Sequence, residues 1–225
     1  MKLTKKHQIM AINILLLGPP GSGKGTQAEK LVKKFNLVYF STGNYSRKLA
    51  QGKTKKGKLI AKILKRGKLI PSEIIDEFVL KSISSLSKDQ GFIFDGYPRD
   101  LLQVKFLEKI LEKKVIKNLK VIYLDLLPSE VLARLSLRLF CENCGASYIE
   151  KEISSVICQH CGGGLVRRAD DTPSVIRKRL KEYLIKTKPV LDYFKKRGVL
   201  KIVNGNQPIE EVFREILRKI SDGSN

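Results

Sequence analysis

Hydrophobic and polar positions follow two rhythms along this chain. Short, nearly continuous apolar runs stand at residues 11–17 ("AINILLL"), 37–40 ("LVYF"), 91–95 ("GFIFD"), 120–126 ("KVIYLDL") and 199–203 ("VLKIV"). Between them, apolar residues recur at helical spacing. Ala28, Leu31, Val32 and Phe35 mark the first interval, and similar stretches cover about 72–86, 100–113, 128–138, 173–195 and 207–220. Strands that are apolar on both faces and alternate with amphipathic helices predict an α/β fold, here a five-stranded parallel sheet covered by helices on both faces. Two segments break the rhythm. Residues 41–70 are basic, helical and strand-free, while 137–171 hold all four cysteines. Both are expected to be inserts, leaving 1–40, 71–136 and 172–225 as the core domain.

Composition sharpens this picture. A chain of 225 residues can bury one sizeable core with small satellites, and 42% hydrophobic content excludes a mainly disordered chain. Lys and Arg total 44 against 22 acids, and residues 1–70 carry 17 basic residues with Glu29 as the one acid. Such a balance points to anionic ligands or partners, although 32 of the 44 are Lys, many on surface stretches such as "KTKKGKLIAKILKRGK" where a solvated face accounts for them. The start "MKLTKKHQIMAINILLLG" imitates a secretory leader. Asn13 interrupts its apolar run and no small-residue cleavage site follows, so a cytoplasmic chain is expected. No run approaches the roughly 18 apolar residues of a membrane helix. His7 carries no signal.

Chemistry enters with "GPPGSGKGT", placed between the first strand and the first helix. Gly18, Gly21, Gly23 and Gly25 let successive backbone N–H groups converge on phosphate oxygens, Lys24 adds a mobile positive charge, and the helix that follows points its positive end at the same place. G-x-x-x-x-G-K in this setting signals a phosphate-binding loop. Gly25 occupies the usual Ser/Thr slot, and Thr26 follows it.

"GPPGSGKGTQ" resembles the loop of adenylate kinases, within the nucleoside monophosphate kinase family, and further motifs extend the resemblance over nearly all of 11–220. It implies a P-loop kinase fold and the reaction ATP + AMP ⇌ 2 ADP with Mg²⁺; a CMP or UMP kinase is the alternative within the family. Gly21, Ser22, Gly23, Lys24, Gly25 and Thr26 would then hold ATP phosphates. "STGNYSR" is similar to "STGDxLR" and places Thr42 on the adenine and Arg47 on the phosphate of AMP. "RGKLIPSEII" resembles the end of the AMP-binding insert, with the backbone of Lys68, Leu69 and Ile70 along the nucleotide. "GFIFDGYPRDLLQ" resembles "GFxxDGFPRxxxQ", which implies Asp95 near Mg²⁺, Gly96, Tyr97, Pro98 and Arg99 at AMP, and Gln103 on the adenine edge.

"RLSLR" and "RRADDTPSVIRKRL" resemble the two hinges of a mobile lid. Arg134 and Arg138 would face ATP together with Ser147, Tyr148 and Gln207, while Arg168 and Arg179 reach the phosphates being exchanged. Asp170 and Asp171 would lock the closed lid. Six of the 12 Arg fall on these positions, which separates them from the Lys background: phosphoryl transfer requires fixed, bidentate charge. The expected catalytic set is Lys24, Asp95, Arg99, Arg138, Arg168 and Arg179. Departures from the family pattern are Asn44 for the usual Asp, Leu137 and Leu139 for a Gly and an Arg, and Ile149 for a His.

Cys141, Cys144, Cys158 and Cys161 form C-x2-C-x13-C-x2-C, with Gly after each second cysteine. This spacing predicts a structural Zn²⁺ site, closed to catalysis because no coordination position is open. A pair of disulfides is disfavoured by a reducing setting. A zinc-ribbon nucleic-acid binder is the rival reading, but between Cys141 and Cys161 there is one aromatic, Tyr148, and one cation, Lys151. No nucleic-acid or membrane partner is therefore expected; ATP, AMP and ADP are the expected ligands of a monomer. His160 is expected to be exposed and not a ligand.

Overall fold

A computed structural model of the chain describes residues 11–222, so His7 and the basic start that imitates a leader lie outside the described residues. Five strands form the central sheet: β1 (Asn13–Leu17), β2 (Val38–Ser41), β3 (Phe92–Asp95), β4 (Leu119–Asp125) and β8 (Leu200–Asn204), in the order β2-β3-β1-β4-β8, every pair parallel. Their alternation explains the continuous apolar runs. Leu15, Leu17, Phe92 and Phe94 face one core, with α4 (Ser72–Ser84), α5 (Leu101–Lys113) and α8 (Lys188–Lys196). Ile14, Leu16, Ile93 and Ile122 face the other, against α1 (Lys24–Phe35) and α9 (Ile209–Ser221). The inner strands β1 and β3 are thus buried on both sides, as a covered parallel sheet requires, while the edge strand β8 leaves Ile202 exposed.

The first insert consists of α2 (Thr42–Ala50) and α3 (Lys55–Lys65). Ser41 and Thr54 cap them, accepting bonds from the N–H groups of Asn44 and Gly57. Its apolar side joins the main core through fully buried Ile60 and through Tyr45, whose ring stacks on Phe78 of α4 at 4.1 Å.

The second insert follows α6 (Pro128–Ser136) and is a small antiparallel sheet, β6-β5-β7, built from β5 (Arg138–Cys141), β6 (Ser147–Ile149) and β7 (Leu165–Arg167). Its own core is Leu139, Cys141, Ala146, Cys158 and Leu165. The chain returns through α7 (Pro173–Glu182).

One expected element is divided. The helical stretch 173–195 becomes α7, a π-helical turn at Tyr183–Thr187, and α8. Pro189 explains the break, since it brings no N–H and its ring collides with the carbonyl of the preceding turn.

Candidate active site

Strand order changes direction between β1 and β3, and open parallel sheets bind ligands at the carboxyl ends of the strands at such a point. A cavity of about 770 Å³ lies there, with the phosphate loop and Asp95 as its floor and residues of both inserts as its walls. The second insert leans onto it. His160 Nε2 comes within 3.8 Å of Glu29 Oε2 on α1, and a Cβ at Gly145 would touch Asn44 Nδ2 at 3.4 Å, so this flap rests on the core and on the first insert.

Almost every expected site residue lines this cavity. From the floor come Gly21, Ser22, Gly23, Lys24, Gly25 and Thr26; from the first insert Thr42, Arg47, Lys68, Leu69 and Ile70; from the loop after β3 Gly96, Pro98, Arg99 and Gln103. Arg134, Arg138, Ser147, Tyr148, Arg168, Arg179 and Gln207 complete it. Tyr97 is the correction: its ring is fully buried in the main core and its hydroxyl donates to Asp76 Oδ1 at 2.8 Å, so the side chain braces the loop from behind. Leu139 likewise turns into the flap's own core, whereas Leu137 and Ile149 do face the cavity.

The loop after β3 is built to aim Arg99. Gly96 has φ +73°, and a Cβ there would lie 2.8 Å from Arg99 Nη2. That space admits the guanidinium, whose Nε donates to Gly96 O at 2.7 Å. Gln103 accepts from Arg99 N at 2.7 Å and donates to Ser72 Oγ at 3.2 Å, and Thr187 Oγ1 donates to Arg99 O at 2.9 Å. Thr187 carried no signal in the sequence. The π-helical turn that presents it was hidden inside an apparently continuous helix.

Across the cavity the guanidiniums are held by two adjacent acids. Arg138 grips Asp171 at two points, 2.7 and 2.8 Å, Arg179 reaches the same carboxylate at 2.7 Å, and Arg168 lies along Asp170 at 3.1 and 3.2 Å. Burial works against the Asp170 charge, yet Arg168, Arg179 and Arg138 together keep its carboxyl below the usual range. These contacts tie the ends of the flap, residues 138 and 168, to α7.

The electrostatic balance of the cavity is positive. Burial first, then the charges of Arg99, Arg179 and Arg138 against the opposing pull of Asp95, lower Lys24 from 10.5 to about 7. Its ammonium meanwhile rests on the carbonyls of Gly18 and Pro19 at 2.9 and 2.8 Å. Burial and then Arg168 push Arg47 and Arg138 down from their ordinary value too. Converging cations that weaken one another, beside backbone N–H groups and a helix N-terminus, form a receptor for several phosphate groups.

A family model for "Adenylate kinase" matches residues 16–199. The chain belongs to the adenylate kinase family. Curated relatives agree: the adenylate kinase of Caldicellulosiruptor bescii is 36% identical over 212 residues, covering 93% of this chain and 99% of the relative. That of Desulforamulus reducens is 38% identical over 209 residues, covering 92% and 98%, and that of Thermosipho africanus is 38% identical over 213 residues, covering 93% and 99%. The kinase is therefore a phosphotransferase on a five-stranded P-loop sheet.

Its flap carries a donor set suited to a metal. The ligand atoms of Cys141, Cys144, Cys158 and Cys161 all lie within 4.8 Å of one another, with two sulfur pairs at 3.5 Å. Four thiolates about 2.3 Å from one ion would stand roughly 3.8 Å apart, so the set fits one tetrahedral centre. All four cysteines are free. Gly145 and Gly162, at φ +78° and +71°, close turns back to the carbonyls of Cys141 and Cys158, and these turns aim backbone N–H groups at sulfur. Cys141 is held below the ordinary thiol value chiefly by the Cys144 N–H, and Cys158 is brought to about 6 by the Tyr148 hydroxyl, then by the His160 and Cys161 N–H groups. No helix among the described residues is long and apolar enough to cross a membrane.

Proposed function

We propose that this kinase transfers the terminal phosphoryl group of MgATP to AMP, giving two ADP, and that the cavity residues divide the work by where they are anchored. The observation that carries this reading is the convergence of Lys24, Arg99, Arg138, Arg168 and Arg179 on one cavity. Phosphoryl transfer asks the protein for in-line positioning and charge stabilisation, not for a covalent intermediate or a general base. Phosphate-loop amides, Lys24, Arg134 and Arg138 hold ATP, with Ser147, Tyr148 and Gln207 toward its base. Thr42, Arg47, Arg99 and the segment Lys68–Ile70 hold AMP, and Arg168 and Arg179 bridge the two. Gln103 is assigned to the adenine edge of AMP, and its side chain also fixes the Arg99 backbone.

Asp95 fits Mg²⁺, which binds through one or two carboxylates plus substrate phosphates and keeps several waters. When bound, the ion neutralises charge between the phosphates. The cysteine set would hold Zn²⁺, which keeps the flap folded and takes no part in transfer. Closure of the flap and of residues 41–70 excludes water and so suppresses ATP hydrolysis; the adenylate kinase lid is a standard instance of such closure. Every side chain this reading uses lies within one chain, which supports a monomer.

Arg99→Ala tests the assignment. ADP formation from ATP plus AMP should fall by about 10²–10³ in kcat, the cost typical of losing one charge-stabilising donor, with an unchanged circular-dichroism spectrum. Near-normal turnover would remove Arg99 from the mechanism. The same assay run with CMP and UMP separates the family alternatives.

A further inference from the structure

Among the described residues four carboxylates border the cavity, Asp95 and three others that each have a basic neighbour. Asp170 is held by Arg168 and Arg179, Glu182 lies 3.6 Å from Lys186, and Glu29 faces His160. The second acid that the family pattern offers is Asn44 here, and its Oδ1 accepts from Arg47. Asp95 is left as the carboxylate available to a divalent cation. Among the described residues its side chain takes one hydrogen bond, from the Tyr39 hydroxyl to Oδ2 at 2.9 Å.

Sheet register makes this contact structural and not incidental. Ser41 of β2 pairs with Asp95 of β3, and Tyr39 pairs with Ile93, so the period of two puts Tyr39 and Asp95 on one face. That face is the one covered by α1, where Ile93, Leu16 and Ala28 pack and Tyr39 packs against them. Here the phosphate loop passes closest: a Cβ on Gly25 would stand 4.0 Å from Asp95 Oδ2. The ring is anchored in apolar packing, while the hydroxyl alone reaches the cavity acid. Burial, and then the Asp95 charge, push the phenol well above its ordinary range, so it keeps its proton and donates.

We propose that Tyr39 is a positioning residue for the metal step: by donating to Asp95 Oδ2 it fixes the rotamer in which the carboxylate faces the water shell of the nucleotide-bound divalent cation. The proposal rests on the assignment of Asp95 to Mg²⁺ made above. A lone carboxylate reaching a metal through water depends on orientation more than a pair does, because no second acid corrects a misplaced first one. Groups that orient metal-binding side chains in this way typically matter by about 10- to 100-fold in metal affinity.

The test measures binding, not only turnover. Affinity for a non-hydrolysable ATP analogue is determined with and without Mg²⁺ in wild type, Tyr39→Phe, Asp95→Asn and the double variant. Tyr39→Phe keeps the ring and its packing, and its melting temperature is recorded as a control. Metal-free affinity should stay within about two-fold, while the gain from Mg²⁺ should shrink about ten-fold, toward the loss seen in Asp95→Asn. In the Asp95→Asn background, Tyr39→Phe should add nothing. If Asp95→Asn loses the Mg²⁺ gain and Tyr39→Phe keeps it, or if the two losses are independent, the positioning role is overturned. Should Asp95→Asn itself leave the Mg²⁺ gain intact, the metal assignment falls and the proposal with it.

Discussion

The two inserts meet over the same cavity but are held together by different means. Residues 41–70 have no separate core: Ile60 and Ile70 belong to the cluster that packs under the central sheet, and Tyr45 stacks on Phe78 of α4. The flap, 137–171, has a core of five residues, two of them cysteines of the four-cysteine cluster. A helical insert lying along a large domain can share that domain's burial. A flap that must leave the domain to admit substrate cannot, and three short strands bury too little apolar area to stand alone. On the proposed reading, a metal held by the four cysteines would supply the missing cohesion within the flap.

Removing the metal should break this comparison most visibly. With a chelator, backbone amides of 137–171 should exchange roughly a hundred-fold faster or more, because structural zinc binding is itself folding free energy. Amides of 41–70 should keep their protection. Turnover should be largely kept at low temperature and decline as the flap melts on warming. Immediate, stoichiometric loss of turnover with unchanged exchange would mean a catalytic metal instead, and unchanged exchange with unchanged turnover would mean that the five-residue core suffices.

A single methylene-rich side chain sharpens the same point at smaller scale. Ile60→Ala should lower global unfolding free energy by about 2–5 kcal/mol, the usual cost of emptying a filled core site. Ile60 is fully buried. Leu165→Ala removes a comparable side chain from the flap and should leave the global unfolding free energy from urea titration within about 1 kcal/mol of wild type, because local opening of the flap is separate from global unfolding. Equal shifts for the two variants would show that flap and core unfold as one unit.

This difference also governs what the sequence makes legible. Central strands are visible because burial on both faces leaves unbroken runs such as "NILLL" and "FIF", and helices sharing the main core keep their periodicity. Strands of three residues in the flap leave no such trace; cysteine spacing alone marks them. In the site, residues proposed to touch phosphate are legible because phosphate demands particular side chains at particular spacings. Residues that act through others are not. Tyr39 reads as one more apolar strand position until register places it beside Asp95, and Thr187 is concealed by a helix that only Pro189 interrupts. Tyr97 errs the other way: it sits within a ligand-binding motif, yet its ring serves the core.

The smallest expected effect reports on both inserts at once. Lys24 is brought to about 7 by burial and then by the charges of Arg99, Arg179 and Arg138 against the pull of Asp95, so in the ligand-free kinase it is mostly neutral at pH 8. A lysine whose folded value lies below its unfolded 10.5 binds fewer protons folded than unfolded between about 7 and 10.5. This group therefore makes ligand-free stability rise with pH across that window, from a penalty that is full below it. A bound polyphosphate supplies the missing counter-charge and raises the value again. Binding a MgATP analogue at pH 8 should then take up about one proton and at pH 6 almost none, read from binding enthalpies in buffers of different ionisation heat. With the flap melted by chelation the Arg138 charge and the flap's share of the burial are lost while Arg99 and Arg179 remain, and uptake at pH 8 should shrink. Equal uptake with and without the metal would locate the depression of Lys24 in the phosphate loop alone, and would remove the flap from the electrostatics of the site.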